Sequence, residues 1–453
     1  MAYHKTSSGA GKFLTDNRRI DPKYFNDAEE NTLPGKKRKK YRPLRGLRNC
    51  LIVVLIFEIL YCVAIFSNIP FIARLRSIYI GTAMDTFSHQ WLATAFIPKD
   101  IIDEVVDRRN NSVNEQIGNN SHWIDRPDPS APASYKDQSG QQVTVDHNNN
   151  NELTAEQKAF FEVFWEVDPE SMLSYVKEHP DVTANGWDQI YINEAGLDDK
   201  GTSIKTVMGE QVLAIDAKSQ VMLVRVTGKA LLGDFRGVLA VAKDPSKLHL
   251  YPAKELGSYG EKAGSIAERN DGILAITGSG FIDEGGGGNG GTLAGIAVCD
   301  GEYYRHTPST WGYKRIELHE DNLMYITDVG TQIGDDVTDA SEFSPALIVD
   351  GKVVVDENCG WMGMHPRACI GQSDRGEILM LVIEGRSLSS EGADVVACAE
   401  LLSKHNCYQA LNLDGGTSAI MWFDGEYVTH CSNAKLDEGR YLPNAWVYAP
   451  DSE

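Results

Sequence analysis

The chain has 453 residues, 42% of them hydrophobic, and a formal net charge of −21 at pH 7. Its length exceeds one average domain, and its apolar content excludes a wholly disordered polymer. The acidic balance excludes a nucleic-acid-binding footprint, because phosphate backbones are gripped by basic surfaces.

The charge is unevenly placed. Residues 1–50 hold 13 Lys/Arg and 5 Asp/Glu, a net of +8, which leaves −29 for residues 51–453. Such a step points to two compartments. Residues 1–49 read as a disordered basic cytoplasmic tail. Residues 50–72 open with CLIVVLIFEILYCVAIF and extend through Ile69, Phe71 and Ile72. A membrane-spanning helix needs about 20 apolar residues, which this run supplies. Eight basic residues and no acidic one stand just before it in KKRKKYRPLRGLR. The positive-inside bias then sets the N-terminus in the cytoplasm and the C-terminal domain outside, a single-pass protein of the cell membrane. A cleavable signal peptide is the rival reading; the long basic lead and the lack of a small-x-small cleavage site speak against it.

Residues 73–109, ending in DIIDEVVDRR, predict a helical stalk. Residues 110–151, rich in Asn, Ser, Gln, Asp and Pro and closed by NNNN, predict a disordered linker. Asn110 and Asn119 stand in N-x-S sequons, which carry glycans in a eukaryotic secretory pathway. Residues 152–204 read as a helical segment. Thr154 ahead of Glu156 and Gln157 marks a helix start, and Phe160, Phe161, Phe164 and Trp165 form a stripe with the spacing of packing surface.

From residue 205 strand patterns dominate: QVLAIDA, QVMLVRVTG and RGVLAVA. GSIAERNDGILAITGSGF reads as helix, turn and strand. The GGGGNGG run at 285–291 lacks the Lys-Ser/Thr pair and the βαβ unit of a nucleotide loop, so it predicts a loop beside a site or a surface excursion. PALIVDGKVVV predicts a hairpin about Asp350-Gly351. Asp335, Asp336, Asp339 and Glu342 lie in an acidic stretch without the ligand order of an EF-hand and read as a solvated loop. No metal and no cofactor is expected. Cys299, Cys359, Cys369, Cys398, Cys407 and Cys431 show no zinc spacing and read as mostly free, buried thiols.

The most pointed segment is NLDGGTS, 412–418. An apolar strand ends on Asp414, and two glycines, then Thr417 and Ser418, follow at once. Glycines there admit positive φ and close approach of a ligand to the backbone. The competing reading is a tight turn in which the Asp caps its own backbone. Upstream stand His365-Pro366-Arg367-Ala368-Cys369-Ile370-Gly371, then ILMLVIEGR ending on Glu384, Gly385 and Arg386, then a helical EGADVVACAELLSKHNC.

The order R-A-C-I-G, E-G-R, N-L-D-G-G-T-S closely resembles the phosphodiester glycosidase family. The likeness is strongest over 360–450 and extends more weakly to about residue 205. Three positions depart from the family pattern: Thr277 stands where Asn is usual, Gly280 where Phe is frequent, and Thr417 where a third Gly is frequent. The expected fold class is α+β, a mixed and largely antiparallel sheet domain with flanking helices over 205–453, preceded by one transmembrane helix. The resemblance implies a sugar joined through its anomeric carbon to a phosphodiester, in a cell-surface or exopolysaccharide polymer. The partners expected are that carbohydrate or glycosyl-phosphate polymer and, through one helix, the membrane.

Breaking such a bond releases a phosphate monoester, already anionic. Protonating it matters less than in ordinary glycoside hydrolysis, and fixed cations matter more. Arg367 and Arg386 are the expected clamp, since a guanidinium grips phosphate oxygens in two places; the alternative is that each pairs with a carboxylate such as Glu384 or Asp414. A carboxylate must also stand near the anomeric carbon, Asp414 first and Glu384 second. Asn412, Gly415, Gly416, Thr417, Ser418, His365, Arg440 and Thr277 complete the expected substrate-binding set, with the amides after Gly415 as an anion nest. Two other functions compete: a non-catalytic carbohydrate-binding or assembly module, and a transferase that passes the sugar to a polymer.

Overall fold

The computed structural model describes residues 43–86, 89–129, 132–137, 141–147, 152–231, 233–283, 287–310, 314–356, 359 and 363–450. The expected tail up to residue 42, the NNNN run and residues 285–286 lie outside the described residues. The helices are α1 (Pro43–Phe66), α2 (Pro70–Met84), α3 (Trp91–Thr94), α4 (Lys99–Glu115), α5 (Ala155–Val163), α6 (Pro169–Glu178), α7 (Ala263–Arg269) and α8 (Val395–Lys404). The strands begin with β1 (Ala133–Lys136), β2 (Gln142–Val145), β3 (Tyr191–Asn193), β4 (Gln211–Asp216), β5 (Val221–Lys229), β6 (Asp234–Ala242), β7 (Leu248–Pro252) and β8 (Leu274–Thr277). They continue with β9 (Ala297–Cys299), β10 (Glu302–Arg305), β11 (Lys314–His319), β12 (Met324–Asp328), β13 (Val337–Phe343), β14 (Ala346–Val349) and β15 (Lys352–Val353). The last are β16 (Arg367–Ser373), β17 (Ile378–Ile383), β18 (Cys407–Asn412), β19 (Met421–Phe423), β20 (Glu426–Tyr427) and β21 (Asn444–Tyr448).

The fold is α+β. The central sheet has nine strands in the order β15-β14-β18-β16-β17-β6-β5-β4-β3, and two five-stranded sheets run β10-β9-β13-β11-β12 and β20-β19-β8-β21-β7. The pairings of β16 with β17 and β18, and of β17 with β6, are antiparallel. β17 shows why its sequence, ILMLVI, is apolar throughout. Leu379, Leu381 and Ile383 pack in one core with Phe160, Phe161 and Met172 of the helical segment and Val395, Ala399 and Leu402 of α8. Ile378, Met380 and Val382 pack in a second core with Leu250, Ile276, Ile316, Met421 and Trp446 of the smaller sheets. A strand buried on both faces has no polar face to alternate. The aromatic stripe is thus packing surface, and Thr154 and Gln157 form a reciprocal capping box at the start of α5.

Three hairpin turns were legible as Asp-Gly pairs. Asp300-Gly301, Asp350-Gly351 and Asp424-Gly425 all take positive φ, as the tight turns between right-twisted strands require. The acidic stretch differs from its expectation. Asp335 and Asp336 are exposed, but Asp339 and Glu342 are buried in β13. There Asp339 accepts from the Leu250 N–H (2.9 Å) and Glu342 from the Ser309 N–H (2.9 Å). The charge pattern hid this, because a buried acid is tolerated where backbone N–H groups from other segments satisfy it.

Residues Met1–Leu60 and Tyr61–Glu453 form two units. α1 is long and apolar enough over Arg45–Phe66 to cross a membrane. In the second unit, Ile65 joins Ile80, Ala83, Ala93, Ile97, Ile102 and Val105 in a small core of its own. Arg76 Nη1 donates to the Ala64 and Ser67 carbonyls (3.3 and 3.0 Å), satisfying acceptors that a helix end leaves open. The segment expected as a stalk is therefore helical but folded back on itself. The expected linker also holds structure: α4 runs to Glu115, and β1 and β2 pair as a hairpin. Polar composition concealed both, since their contacts are to the domain: the Gln116 side chain donates to the Ala346 carbonyl (3.0 Å) and accepts from its N–H (3.1 Å).

Candidate active site

The motif residues gather at one end of the central sheet, because β16, β17 and β18 are neighbours and their ends carry them. Asp414 follows β18. The residue keeps part of its surface open, and its carboxyl lies near enough to Ser418, Arg440, Asp283 and the Gly415 amide to be shifted by them. Burial pushes its pKa up to about 6; the Ser418 hydroxyl and Arg440 pull it down, and Asp283 adds to the rise. A carboxyl that changes charge near neutrality suits acid–base work. Arg440 is not free to pair with it fully. Its Nη1 donates to Asp283 (2.6 Å) and its Nη2 to the Gly288 carbonyl (3.0 Å), with the guanidinium 4.4 Å from the Phe281 ring centroid.

Arg386 is the most constrained of the set. It has φ +60°, a conformation seldom held by a long side chain without support from its surroundings. Its Nη2 donates to Thr86 Oγ1 (3.1 Å) and His365 Nδ1 (3.3 Å). Gly416, with φ +63°, lies so near that a Cβ there would sit 3.4 Å from Nη1. The residue is exposed overall, but partial desolvation of its guanidinium and the neighbouring Arg367 both lower its pKa. Arg367 is buried, and donates from Nε to the Ala393 carbonyl (3.1 Å) and from Nη2 to the Gly363 carbonyl (2.8 Å). Among the described residues neither arginine forms an ion pair with a carboxylate, so the alternative of pairing with Glu384 or Asp414 does not hold.

Glu384 is engaged elsewhere. It accepts from Arg236 Nε (2.9 Å) and lies 2.8 Å from His430 Nδ1. Glu384 and Arg386 line a cleft of about 420 Å³ with Thr429, His430, Cys431 and Asn433. Cys431 lies close enough to Lys262, Arg440 and Arg386 to feel all three charges, and its S–H donates to the Thr417 carbonyl (3.5 Å). Two of the amides expected in the nest are engaged within the chain. Gly416 N–H already donates to the Pro366 carbonyl (3.0 Å) and Ser418 N–H to the Gly415 carbonyl (3.1 Å). Asn412 is buried, with Nδ2 donating to the Ser344 carbonyl (2.7 Å). Thr277 ends β8, fully buried, its hydroxyl without a hydrogen-bond partner among the described residues.

The structure thus brings together Asp414, Ser418 and Arg440 on one side, and Arg386, His365 and Gly416 on the other. Sequence reading missed Asp283, His430, Cys431 and Asn444, whose side chain pairs with Ser279 (2.9 Å) just after Thr277. Asp283 carried the same signal as Asp414: an acid following an apolar run and preceding glycines.

Residues 270–449 match the sequence profile described as phosphodiester glycosidase. This segment resembles a phosphodiester glycosidase domain. The match begins inside the expected 205–453 span; β4 to β6 lie before it and share the central sheet. A Bacillus subtilis protein, the SPbeta prophage-derived uncharacterized protein YomE, is 27% identical over 180 residues, 37% of this chain and 27% of that relative. The chain therefore spans about a quarter of the curated relative's length. The catalytic domain of zebrafish N-acetylglucosamine-1-phosphodiester alpha-N-acetylglucosaminidase, solved auto-inhibited by its pro-peptide, shares 16% identity. It aligns over 50% of this chain and 82% of its own at a TM-score of 0.42. A hypothetical protein from Synechocystis shares 13%, over 54% of this chain and 65% of its own, at 0.37. A putative exported protein from Burkholderia pseudomallei shares 14%, over 47% and 74%, at 0.36.

Proposed function

We propose that the chain is a membrane-anchored glycosidase that hydrolyses sugar-1-phosphodiester linkages in cell-surface or exopolysaccharide polymers. The observation that carries this is Arg386: a guanidinium without a carboxylate partner among the described residues, at the cleft, beside the glycine turn that follows Asp414. Such a cation is a seat for an anion, and among the described residues only Nη2 of the Arg386 guanidinium is engaged, which leaves Nη1 and Nε for it. The phosphoryl group sits at Arg386, and the sugar extends toward Asp414. The C1–O bond breaks with its electron pair leaving on the phosphate monoester, whose charge Arg386 stabilises. The ionised Asp414 carboxylate takes a proton from the water that adds to C1. Arg367 holds the chain at Gly363 and Ala393 and supports this seat.

α1 anchors the chain with its N-terminus in the cytoplasm. Its side chains from Leu51 to Leu60 are exposed, as a helix solvated by lipid would be. The domains of the chain are, on this reading, the tail, the anchor, the helices from residue 73, the linker with its hairpin, the helical segment and the glycosidase domain.

The test is product analysis with purified full-length protein and a defined methyl N-acetylglucosamine-1-phosphodiester. Free sugar and methyl phosphate are the expected products. Binding without product would make it a carbohydrate-binding module, and sugar moved to an added glycan would make it a transferase.

A further inference from the structure

The residues between α1 and the first strands were expected to be a spacer, yet the end of α2 stands against the site. Gly81 approaches the loop before β16 so closely that a Cβ would lie 3.5 Å from the Gly363 N. The next residue is Thr82, whose Oγ1 donates to the Ile78 carbonyl (2.8 Å) and accepts from the Met364 N–H (3.1 Å). Thr86 Oγ1 repeats this arrangement. Its hydrogen goes to the Thr82 carbonyl (3.1 Å), so its lone pairs face Arg386 Nη2 (3.1 Å). Asp85, which pairs with Arg109 of α4, has Oδ2 3.6 Å from His365 Nε2, an ion-pair separation longer than a hydrogen bond, and neither atom has a hydrogen-bond partner among the described residues.

These contacts form one chain: Arg109, Asp85, His365, Arg386. A guanidinium can only donate, so His365 Nδ1 accepts from Arg386 and must be unprotonated. The ring proton then sits on Nε2, on the side of Asp85. Burial and the flanking Arg367 and Arg386 lower the His365 pKa against the pull of Asp85, which keeps the ring neutral. Carboxylates behind a histidine commonly fix its tautomer in this way.

We infer that Asp85 and Thr86, at the end of the juxtamembrane helix α2, are positioning residues of the glycosidase site, holding Arg386 in its phosphate-binding pose directly and through His365. The inference rests on the proposed role of Arg386. It makes α2 a working wall of the site, and phosphate recognition dependent on a segment outside the matched glycosidase domain.

The test uses the full chain in lipid nanodiscs, with Thr86→Val and Asp85→Asn. Losing a hydrogen bond to a charged group corresponds to about tenfold or more. Each variant should lose about that much in kcat/KM on the methyl phosphodiester, chiefly through KM, while an activated uncharged glycoside changes less than about threefold. Inorganic phosphate should compete correspondingly less well. An equal loss on both substrates, no loss, or a gain from an opened site would overturn the inference. A second readout is independent of turnover. Histidine ¹⁵N NMR, assigned with His365→Gln, should show His365 in the Nε2–H form in the parent and a changed tautomer population in Asp85→Asn. An unchanged His365 signature would overturn the relay through His365. If the parent cleaves neither substrate, the functional reading fails, and the NMR result alone decides whether Asp85 positions the ring.

Discussion

Arg440 Nη1 donates to Asp283 over 2.6 Å, joining segments 157 residues apart beside Asp414. The pair holds the loop after β8 against the last turn before β21, and the Gly288 N–H donates to the same Asp283 carboxylate. Asp283→Asn removes a negative neighbour from Asp414 and releases Arg440 toward it. Both changes favour the Asp414 carboxylate, so its pKa should fall. The acid limb of the kcat/KM profile should then move to lower pH; a limb that does not move would separate the pair from Asp414.

Asp414 itself sets the second prediction. With the carboxylate as the working form, activity rises as pH rises through about 6. Asp414→Asn should abolish that limb and lower kcat by about two orders of magnitude or more. Stability moves the other way. Between the ordinary Asp value and about 6 the folded chain holds a proton that the unfolded chain has lost, so raising pH through this window costs stability. At pH 7 the Asn variant should be the more stable by about 1–3 kcal/mol, measured as a shift in denaturant midpoint.

The two arginines should behave differently. Arg386→Lys loses the two-pronged contact and should harm the phosphodiester far more than an activated uncharged glycoside. Arg367→Lys disturbs backbone contacts at Gly363 and Ala393 and should lower both about equally. Steady-state kinetics on both substrates separates them, and a selective loss in Arg367→Lys would return that residue to the phosphate.

Away from the site, Lys243 Nζ lies 2.6 Å from Glu166 and 2.9 Å from Glu377, all three side chains less than 10% exposed. Trp165 Nε1 donates to Glu377 as well (2.8 Å). Lys243→Met strands two buried carboxyls and should cost about 3–5 kcal/mol, read as a lowered Tm. A loss below about 1 kcal/mol would mean that the carboxyls take up protons at little cost.

Topology is tested on intact cells. Added protease should degrade the domain and spare a small N-terminal fragment; full protection would refute the proposed orientation.

The sequence by itself determined the apolar helix, the Asp-Gly hairpins, the capped α5 and the strand ends that bear Asp414, Glu384 and Arg386. Each is written in neighbouring residues: a run length, a turn pair, a cap or an apolar run broken by a polar residue. It also carried the likeness to the phosphodiester glycosidase family, because the motif string is local. Only the tertiary structure decided which charges meet. Glu384 and Asp414 look alike in sequence, as acids at strand ends. Packing sets Glu384 against Arg236 and His430, and leaves Asp414 within the electrostatic reach of Ser418, Arg440 and Asp283. Arg367 and Arg386 look alike as well, yet one is tied to backbone carbonyls and the other meets Thr86, 300 residues away. Pairings at that distance leave no periodicity, since side-chain contacts between remote segments depend on register and approach rather than on spacing along the chain.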